Sequence, residues 1–520
     1  VSLILIIIAI VVFSIAYVTY GAWLSKKWGV DLSKKTPAHE FADGVDYVPA
    51  KVPVLMGHHF ASIAGAGPII GPIVAAMFGW LPVFLWLIVG SIFFGGVHDY
   101  GSLFASIRHD GKSISYVIEQ NIGRTGKKLI SVFSWLTLVL VIAAFANVIV
   151  KTFVAVPSVA TISILFIFLA IAFGIAVNRM NVPLVPATIV GVALLGVCIW
   201  FGLNNPITLS FNSWYAIILV YIFIASVAPV WILLQPRDYL NSYILYAMIG
   251  GAVLGLLVYR PNLELPAVTG FTVNGSMMFP ILFVTVACGA ISGFHSLIAS
   301  GTSSKQVDRE GDAKIIGYGS MLIEGVLAVI ALITAAYIGA DKFGELMSAG
   351  GPANVFADGV GQFMTGFGVS KAVGKSFVSL AISAFALTSL DSGTRIGRFI
   401  FQEFFDNSDS ETGKKSNSIL TNKYFATIVT VACGAIMGIA GYEKVWPVFG
   451  TSNNLLASIA LLTLATWLKK EGKDNRMITI PMTFMFLVTM TAIVLLVRTN
   501  LLAGNLFLAG IGVLLNHGLH

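Results

Sequence analysis

Two adjacent histidines, His58 and His59, stand near the head of the stretch "GHHFASIAGAGPIIGP", residues 57–72, which also holds Gly57, Gly65, Gly67, Gly71, Pro68 and Pro72. Glycine opens unusual dihedrals, and proline removes a backbone donor, so this density of breakers interrupts a helix. Inside a bilayer, broken backbone survives only where it is buried in protein or lines an aqueous cavity. There it frees carbonyls for a cation and leaves a half-helix N-terminus for an anion. Ser62, Gly65, Ala66, Gly67 and Pro68 are therefore candidate substrate-binding residues. The competing reading, a packed kinked helix, fits one proline better than this cluster.

A second polar run is "CGAISGFHSLIASGTSSKQ", residues 288–306, where Ser292, His295, Ser296, Ser300, Thr302, Ser303 and Ser304 crowd one end of an apolar segment. Hydroxyls beside freed carbonyls suit a hard cation such as sodium, which makes Ser300, Thr302 and Ser303 candidate ligands. Hydroxyls that bond back to their own helix are the equal alternative. Ionisable residues inside apolar segments are functional candidates by default. Here they are His98-Asp99, Glu324, which has no partner nearby in sequence, and Asp391, with Arg395 at i+4 as a structural ion-pair partner. The ion-coupling set is thus His58, His59, His295, Glu324 and Asp391 with the three hydroxyls. A transition metal at His58 and His59 would require irregular backbone, since neighbours at i and i+1 point to different helix faces. No H-E-x-x-H, Walker A, G-x-S-x-G or paired C-x-x-C motif occurs, so neither an enzyme nor a required cofactor is indicated.

The elements that position these residues are membrane helices. Of 520 residues, 57% are hydrophobic and 11% charged, with mean hydropathy +0.89; soluble chains carry about a quarter charged residues. The expected fold is an all-α polytopic membrane protein of about fifteen transmembrane helices. The expected spans are 2–24, 58–79, 80–106, 128–152, 157–178, 183–203, 212–234, 239–259, 275–300, 314–339, 370–400, 420–442, 444–468, 476–497 and 500–516. The first run ends in Trp and Lys and is too long for a signal-peptide core, so it is read as a span. With the N-terminus outside and the C-terminus inside, 24 of the 31 basic residues fall on inner segments, as the positive-inside rule requires. The net charge of +7 therefore reflects topology, and no basic stripe or nucleic-acid motif accompanies it. Cys198, Cys288 and Cys433 lie at scattered spacing in apolar spans and read as packing residues.

Two inner segments, 31–54 and 113–123, read as amphipathic, and the Gly-rich outer segment 340–368 as a long loop suited to a lid or gate. Five spans beyond the first interrupted one, 212–234 is followed by "ASVAPVWILLQPRDYL". Pro229, Trp231 and Gln235 there make a second candidate break, contributing to the substrate site. Five plus five spans, each half opening on a broken helix, is the pattern of an inverted repeat with discontinuous helices. The expected organisation is 1–56, an N-terminal helix and inner amphipathic segment; 57–211 and 212–400, two five-helix repeats of a transport core; and 401–520, accessory helices.

The stretches "DGVDYVPAKVPVLMGHHFASIAGAGPIIGP", "QPRDYLNSY", "CGAISGFHSLIASGTSSKQ", "LDSGTRIGRF" and "WPVFGTSNNLLA" together resemble the carbon starvation protein A (CstA) family of bacteria. The resemblance implies an inner-membrane transporter linked to peptide uptake, with close relatives that import pyruvate with protons. It also implies a fold akin to the amino acid–polyamine–organocation superfamily. The expectation is a secondary active transporter of carboxylate-bearing nutrients, peptide or pyruvate, coupled to protons or to sodium. A passive channel and a starvation sensor are the alternatives. A small-molecule or peptide substrate and membrane lipid are the expected partners, nucleic acid is not, and oligomeric state is left open.

Overall fold

A computed structural model describes residues 1–43, 47–229, 232–405, 419–439 and 441–502. Among these residues, ten helices are long and apolar enough to cross a membrane, and the bent pair Val52–Ile63 and Gly67–Phe78, which meet at 43°, makes eleven. Two shorter apolar helices, Phe211–Val227 and Lys423–Ile439, accompany them. Each expected span but the last meets a helix or a helix group. The last falls on residues 503–516, outside the described residues. One hydrophobic core links almost every described helix.

The expected break at residues 57–72 is present. The helix Val52–Ile63 stops at Ala64, and a new helix, Gly67–Ala75, starts with Pro68 in its first turn. Pro68 fits there because the first turn's N–H groups have no intrahelical partner anyway. The freed carbonyl of Ser62 accepts a hydrogen bond from Ser389 Oγ at 2.8 Å.

The second break is not where the sequence suggested. Phe211–Val227 is a continuous helix, and its partner Leu234–Tyr259 begins after a connection at 228–233. The interrupted span is instead the one expected at 275–300. It consists of Met278–Thr285, Ala287–Ala290 and Gly293–Gly301, with Ile291 and Ser292 extended between the last two. Tertiary contacts impose this break. Asn453 Oδ1 accepts from Phe294 N at 2.8 Å and from Ser292 Oγ at 3.2 Å, capping the new half-helix from the helix Tyr442–Lys470. Gly293 permits that approach, since a Cβ there would stand 2.5 Å from Ala457 N.

The two broken spans lie against each other. A Cβ on Gly67 would meet Cys288 Cβ at 2.5 Å and its sulfur closer still, and one on Gly71 would meet the Thr285 carbonyl at 2.6 Å. Around them the packing is paired. Val52–Ile63 rests on Leu234–Tyr259 as Gly293–Gly301 rests on Tyr442–Lys470, and Arg124–Ala155 and Lys371–Phe405 make the most extensive contact among the described helices.

A further expectation changes. The segment 340–368 is a helix, Ala340–Met364, kinked at Gly351 (φ 70°) and Pro352; its glycines mark the kink rather than a loop. It is fastened by Asp358, which pairs with Lys371 at 2.9 Å, Lys342 at 3.3 Å and Lys375 at 3.7 Å. Burial works to raise the Asp358 carboxyl, but the Lys371 and Lys342 contacts outweigh it and hold the group below its ordinary value of 3.8. The described part of the amphipathic segment 31–54 is largely irregular, with one short helical turn at Pro37–Glu40, and it enters the helix Val52–Ile63 at its end. It forms a strap. Ala50 N bonds Gln306 O at 2.9 Å, Thr36 Oγ1 bonds Asp308 O at 3.2 Å, and His39 pairs with Asp308 at 2.7 Å. The 113–123 segment does form its helix, Ile114–Ile122, capped by Ser113.

Candidate functional site

Three buried ionisable groups meet beside the breaks. Asp99, from Gly96–Arg108, accepts from His98 Nδ1 on one oxygen and from His295 Nδ1 on the other, both at 2.7 Å. The other nitrogen of His295 lies 3.6 Å from Glu324 Oε2, on the helix Ser320–Tyr337. All four side chains are fully buried. The result is a carboxylate–imidazole–carboxylate chain that spans three helices and starts on the half-helix created by the second break. His59, on the half-helix before the first break, lies within electrostatic reach of Asp99 and His295 and bonds Ser303 Oγ at 2.7 Å.

Several polar atoms here are buried without a hydrogen-bond partner: His59 Nε2, Ser62 Oγ, His98 Nε2, His295 Nε2 and both oxygens of Glu324. Buried polar groups are nearly always bonded because each unmet one costs about 1–3 kcal/mol. These unmet atoms are concentrated where two helices are interrupted.

A second buried network lies on the other side of the first broken span. Arg237 pairs with Asp238 at 2.8 Å and with Asp391, and it donates to Tyr221 OH at 2.6 Å; Tyr221 donates to Asp391 at 2.9 Å. Thr388 donates to Asp238 at 3.0 Å, and His58 Nδ1 lies 3.0 Å from the other Asp238 oxygen. Asp391 is therefore partnered by Arg237 and not by Arg395, one turn along its own helix. Arg395 instead bonds the Ala225 and Ala228 carbonyls, and Arg398 bonds Ser226 O at 2.7 Å. The two arginines satisfy carbonyls at the C-terminal end of Phe211–Val227, where positive charge is favoured.

The remaining candidates are dispersed. Ser300 and Thr302 donate to carbonyls of their own helix, Ser296 O at 2.6 Å and Ile298 O at 3.0 Å, and Ser303 serves His59. Ser300 and Thr302 thus follow the back-bonding alternative, while Ser303 is taken up by the histidine. His58 and His59 sit in regular helix and face Asp238 and Ser303 respectively, so the irregular backbone that a shared metal needs is missing there. Among the described residues no three His, Cys, Asp or Glu side chains are placed to hold a metal ion. Pro229 is exposed after the helix Phe211–Val227, Gln235 lies in the first turn of Leu234–Tyr259, and Trp231 lies outside the described residues.

Sequence reasoning missed Asn453 and Ser389, polar residues in apolar helices whose roles depend on carbonyls and amides distant in sequence. The motif "WPVFGTSNNLLA" held the signal in Asn453, a poor helix-interior residue that serves well as a cap. A cavity of about 570 Å³ with both polar and apolar walls opens at the end of the second broken span. It lies among Ser300, Lys305, Lys112, Tyr116, Gln402 and Glu403, on the face where the charge count places the basic loops.

Comparison with known proteins supports a common origin for this arrangement. The family model "Carbon starvation protein CstA" matches residues 1–350 and 340–492. The chain is 34% identical to a Helicobacter pylori protein named peptide transporter CstA, over 89% of this chain and 77% of that one. It is 30% identical to the Escherichia coli pyruvate/proton symporter BtsT, over 88% of this chain and 76% of that one. Among solved structures, that of MhsT in complex with L-phenylalanine superposes with a TM-score of 0.50 at 15% identity, covering 85% of this chain and 99% of that one, which shows a shared fold. With its interrupted first span, its buried histidine–carboxylate chain and its capped second break, the chain belongs to the carbon starvation protein CstA family.

Proposed function

We propose that the chain is a proton-coupled secondary transporter that brings small carboxylate-bearing nutrients, peptides or pyruvate, across the bacterial inner membrane. The observation that carries this reading is the Asp99–His295–Glu324 chain, with its partnerless nitrogen and carboxyl oxygens, buried against two apposed helix breaks. Asp99 and Glu324 would place two negative charges in a closed apolar interior. Such charges are tolerated only when neutralised, so the chain holds protons when closed. A proton on His295 balances Asp99, and one on Glu324 removes the second charge. In this reading a shift of the half-helix Gly293–Gly301 toward Ser320–Tyr337 closes the 3.6 Å between His295 Nε2 and Glu324 Oε2 to a hydrogen bond, which ties the proton's path to helix movement. Sodium is less well served, because Ser300 and Thr302 bond carbonyls of their own helix and Ser303 bonds His59. The relatives' names, one a peptide transporter and one a pyruvate/proton symporter, share the carboxylate as a substrate feature.

In this reading the transport core comprises two inverted repeats, at 52–259 and 278–470. Each opens on a broken span, and the hairpin of Pro157–Asn178 and Leu184–Asn204 is an insertion in the first. The paired packing of Val52–Ile63 on Leu234–Tyr259 and of Gly293–Gly301 on Tyr442–Lys470 supports this division over one at residue 212. The substrate carboxylate meets the start of the helix Gly67–Ala75, where the positive end of the helix dipole and Ser62 Oγ lie together. Release follows the cavity beside Ser300 and Lys305 on the inner face, with the N-terminus outside.

The test is uptake of labelled pyruvate and of labelled dialanine into proteoliposomes, under an imposed proton gradient and separately under an imposed sodium gradient. Accumulation of either solute driven by protons, lost in Glu324→Gln while exchange of the solute persists, is the expected result. Accumulation driven by sodium alone, or equilibration without accumulation as in a channel, overturns it. No flux of either solute moves the function to sensing.

A further inference from the structure

The inner cavity of about 570 Å³ falls within the range of about 300–1,000 Å³ that small-molecule sites occupy. One of its walls is the start of the helix Ile114–Ile122, where Ser115 is 1% exposed and its Oγ has no hydrogen-bond partner. The neighbouring amides are engaged: Ile114 N donates to Ser300 Oγ at 3.1 Å, and Tyr116 N donates to Ser113 Oγ at 3.3 Å. A helix start favours negative charge, and a buried hydroxyl without a partner is a donor waiting for an acceptor. Lys112 and Lys305 also line the cavity. Gly111, at φ 68°, lets the Lys305 stem and the Tyr47 ring approach the loop; a Cβ there would stand 3.2 Å from Lys305 Cγ and 3.1 Å from the ring. Lys305 Nζ lies 5.4 Å from the centre of that ring, and Tyr47 OH donates to Asp110 O at 3.0 Å, so the strap steadies loop and lysine together. Glu403 is the carboxylate among the described lining residues. Lys127 lies 3.7 Å from it and holds Glu119 at 2.8 Å. Three ammonium groups therefore stand against two carboxylates, a balance that suits an anionic guest.

We propose that this cavity is a second, inner binding site for the carboxylate of the transported solute, which is held there between the helix breaks and the cytoplasm. The inference rests on the transport reading above and adds a site to it. Ser115 Oγ donates to the carboxylate, the helix start contributes its positive end, and Lys112 and Lys305 supply opposite charge. The site is attached to the parts that move. Ser300 Oγ, which accepts from Ile114 N, itself donates to Ser296 O at 2.6 Å inside the half-helix Gly293–Gly301. The turn Ser303–Lys305 follows that half-helix, and its Ser303 bonds His59 on the other broken span at 2.7 Å. A guest bridging Ser115 and Lys305 thus holds the end of the second broken span against Ile114–Ile122, and its departure loosens that end.

Amide hydrogen exchange on the full chain in detergent tests the site without requiring transport. Exchange is read in residues 112–122 and 297–306 at the cavity and in 57–72 at the first break, while pyruvate, dialanine, acetate and inorganic phosphate are titrated in turn. At about ten times its dissociation constant, a ligand slows exchange through the openings that release it about tenfold. The expected result is such slowing at the cavity by pyruvate or dialanine, reduced severalfold in Ser115→Ala and in Lys112→Gln, with any slowing at 57–72 retained. Lys112 is exposed, so Lys112→Gln serves should Ser115→Ala fold poorly. No slowing at the cavity by either solute, or slowing that both variants keep in full, overturns the proposal and leaves the proton-coupled reading to the uptake experiment. Slowing by phosphate or acetate but by neither solute also overturns it, and gives the cavity to another cytoplasmic anion. Slowing by a solute that shows no proton-driven accumulation keeps the carboxylate site and removes the Glu324 reading, so the two fail separately.

Discussion

Replacing Gly67 by alanine tests whether the two helix breaks must touch for transport. A Cβ at this position would stand 2.5 Å from Cys288 Cβ and closer to its sulfur, whereas ordinary contact lies at 3.4–4 Å. The neighbour is a side chain fixed on a short helix, Ala287–Ala290, and not the tip of a flexible chain. Gly67→Ala therefore pushes the broken spans apart by about 1 Å, and overpacking of this kind costs about 1–3 kcal/mol. If that cost falls on the conformation in which both spans close around substrate, uptake drops about 5- to 150-fold. The assay is initial uptake into proteoliposomes, normalised to monodisperse protein recovered from the membrane. The structure also supplies a rescue. In Gly67→Ala with Cys288→Gly, the nearest remaining Cys288 atom, its Cα, lies 3.9 Å from the new methyl. The double variant should return to within about threefold of Cys288→Gly alone, since glycine in a helix costs about 1 kcal/mol by itself. Full activity in Gly67→Ala, or a loss that Cys288→Gly does not relieve, would refute the apposition as a requirement for transport.

Asn453→Ala removes the acceptor for Phe294 N and Ser292 Oγ and should lower stability by about 1–2 kcal/mol, read as a lower thermal midpoint in detergent. Ser389→Ala withdraws the hydroxyl that satisfies the Ser62 carbonyl, and a loss of about 1 kcal/mol is expected in the same assay; an unchanged midpoint counts against that bond. The Asp358 fastening has a defined pH window. Because the carboxyl is held below 3.8 in the folded protein, its contribution is fully present above that value and fades as pH falls beneath it. Amide exchange in residues 340–364, after correction for intrinsic rates, should be equally slow at about pH 7 and pH 5 and rise only near pH 3. Asp358→Asn should exchange quickly throughout.

Much of this architecture was legible because membrane spans announce themselves by length and apolarity, and because broken backbone requires glycine and proline. The first break is written in Gly65, Gly67 and Pro68. The second is not, since "ACGAIS" reads as an apolar helix and is interrupted by a cap, Asn453, some 160 positions away. The same limit misdirected Asp391. Arg395 at i+4 is a good local partner, but Arg237 on a neighbouring helix reaches the carboxylate, and Arg395 is drawn to the bare carbonyls of Ala225 and Ala228. In 340–364 the glycines and Pro352 outweighed the helix formers on either side, yet one kink absorbs them all. Glu324 has no partner nearby in sequence, and its approach to His295 at 3.6 Å could only come from the fold.

The irregular strap before the first broken span has a mechanical meaning. Through Ala50 and Gln306, and through His39 and Asp308, the chain entering one broken span is laced to the chain leaving the other. The two half-helices that carry His58, His59 and His295 consequently share a yoke. In the proposed cycle, a displacement of one half-helix would thereby be felt by the other. Gearing of this kind lets a carrier avoid the half-open postures through which protons would leak without cargo.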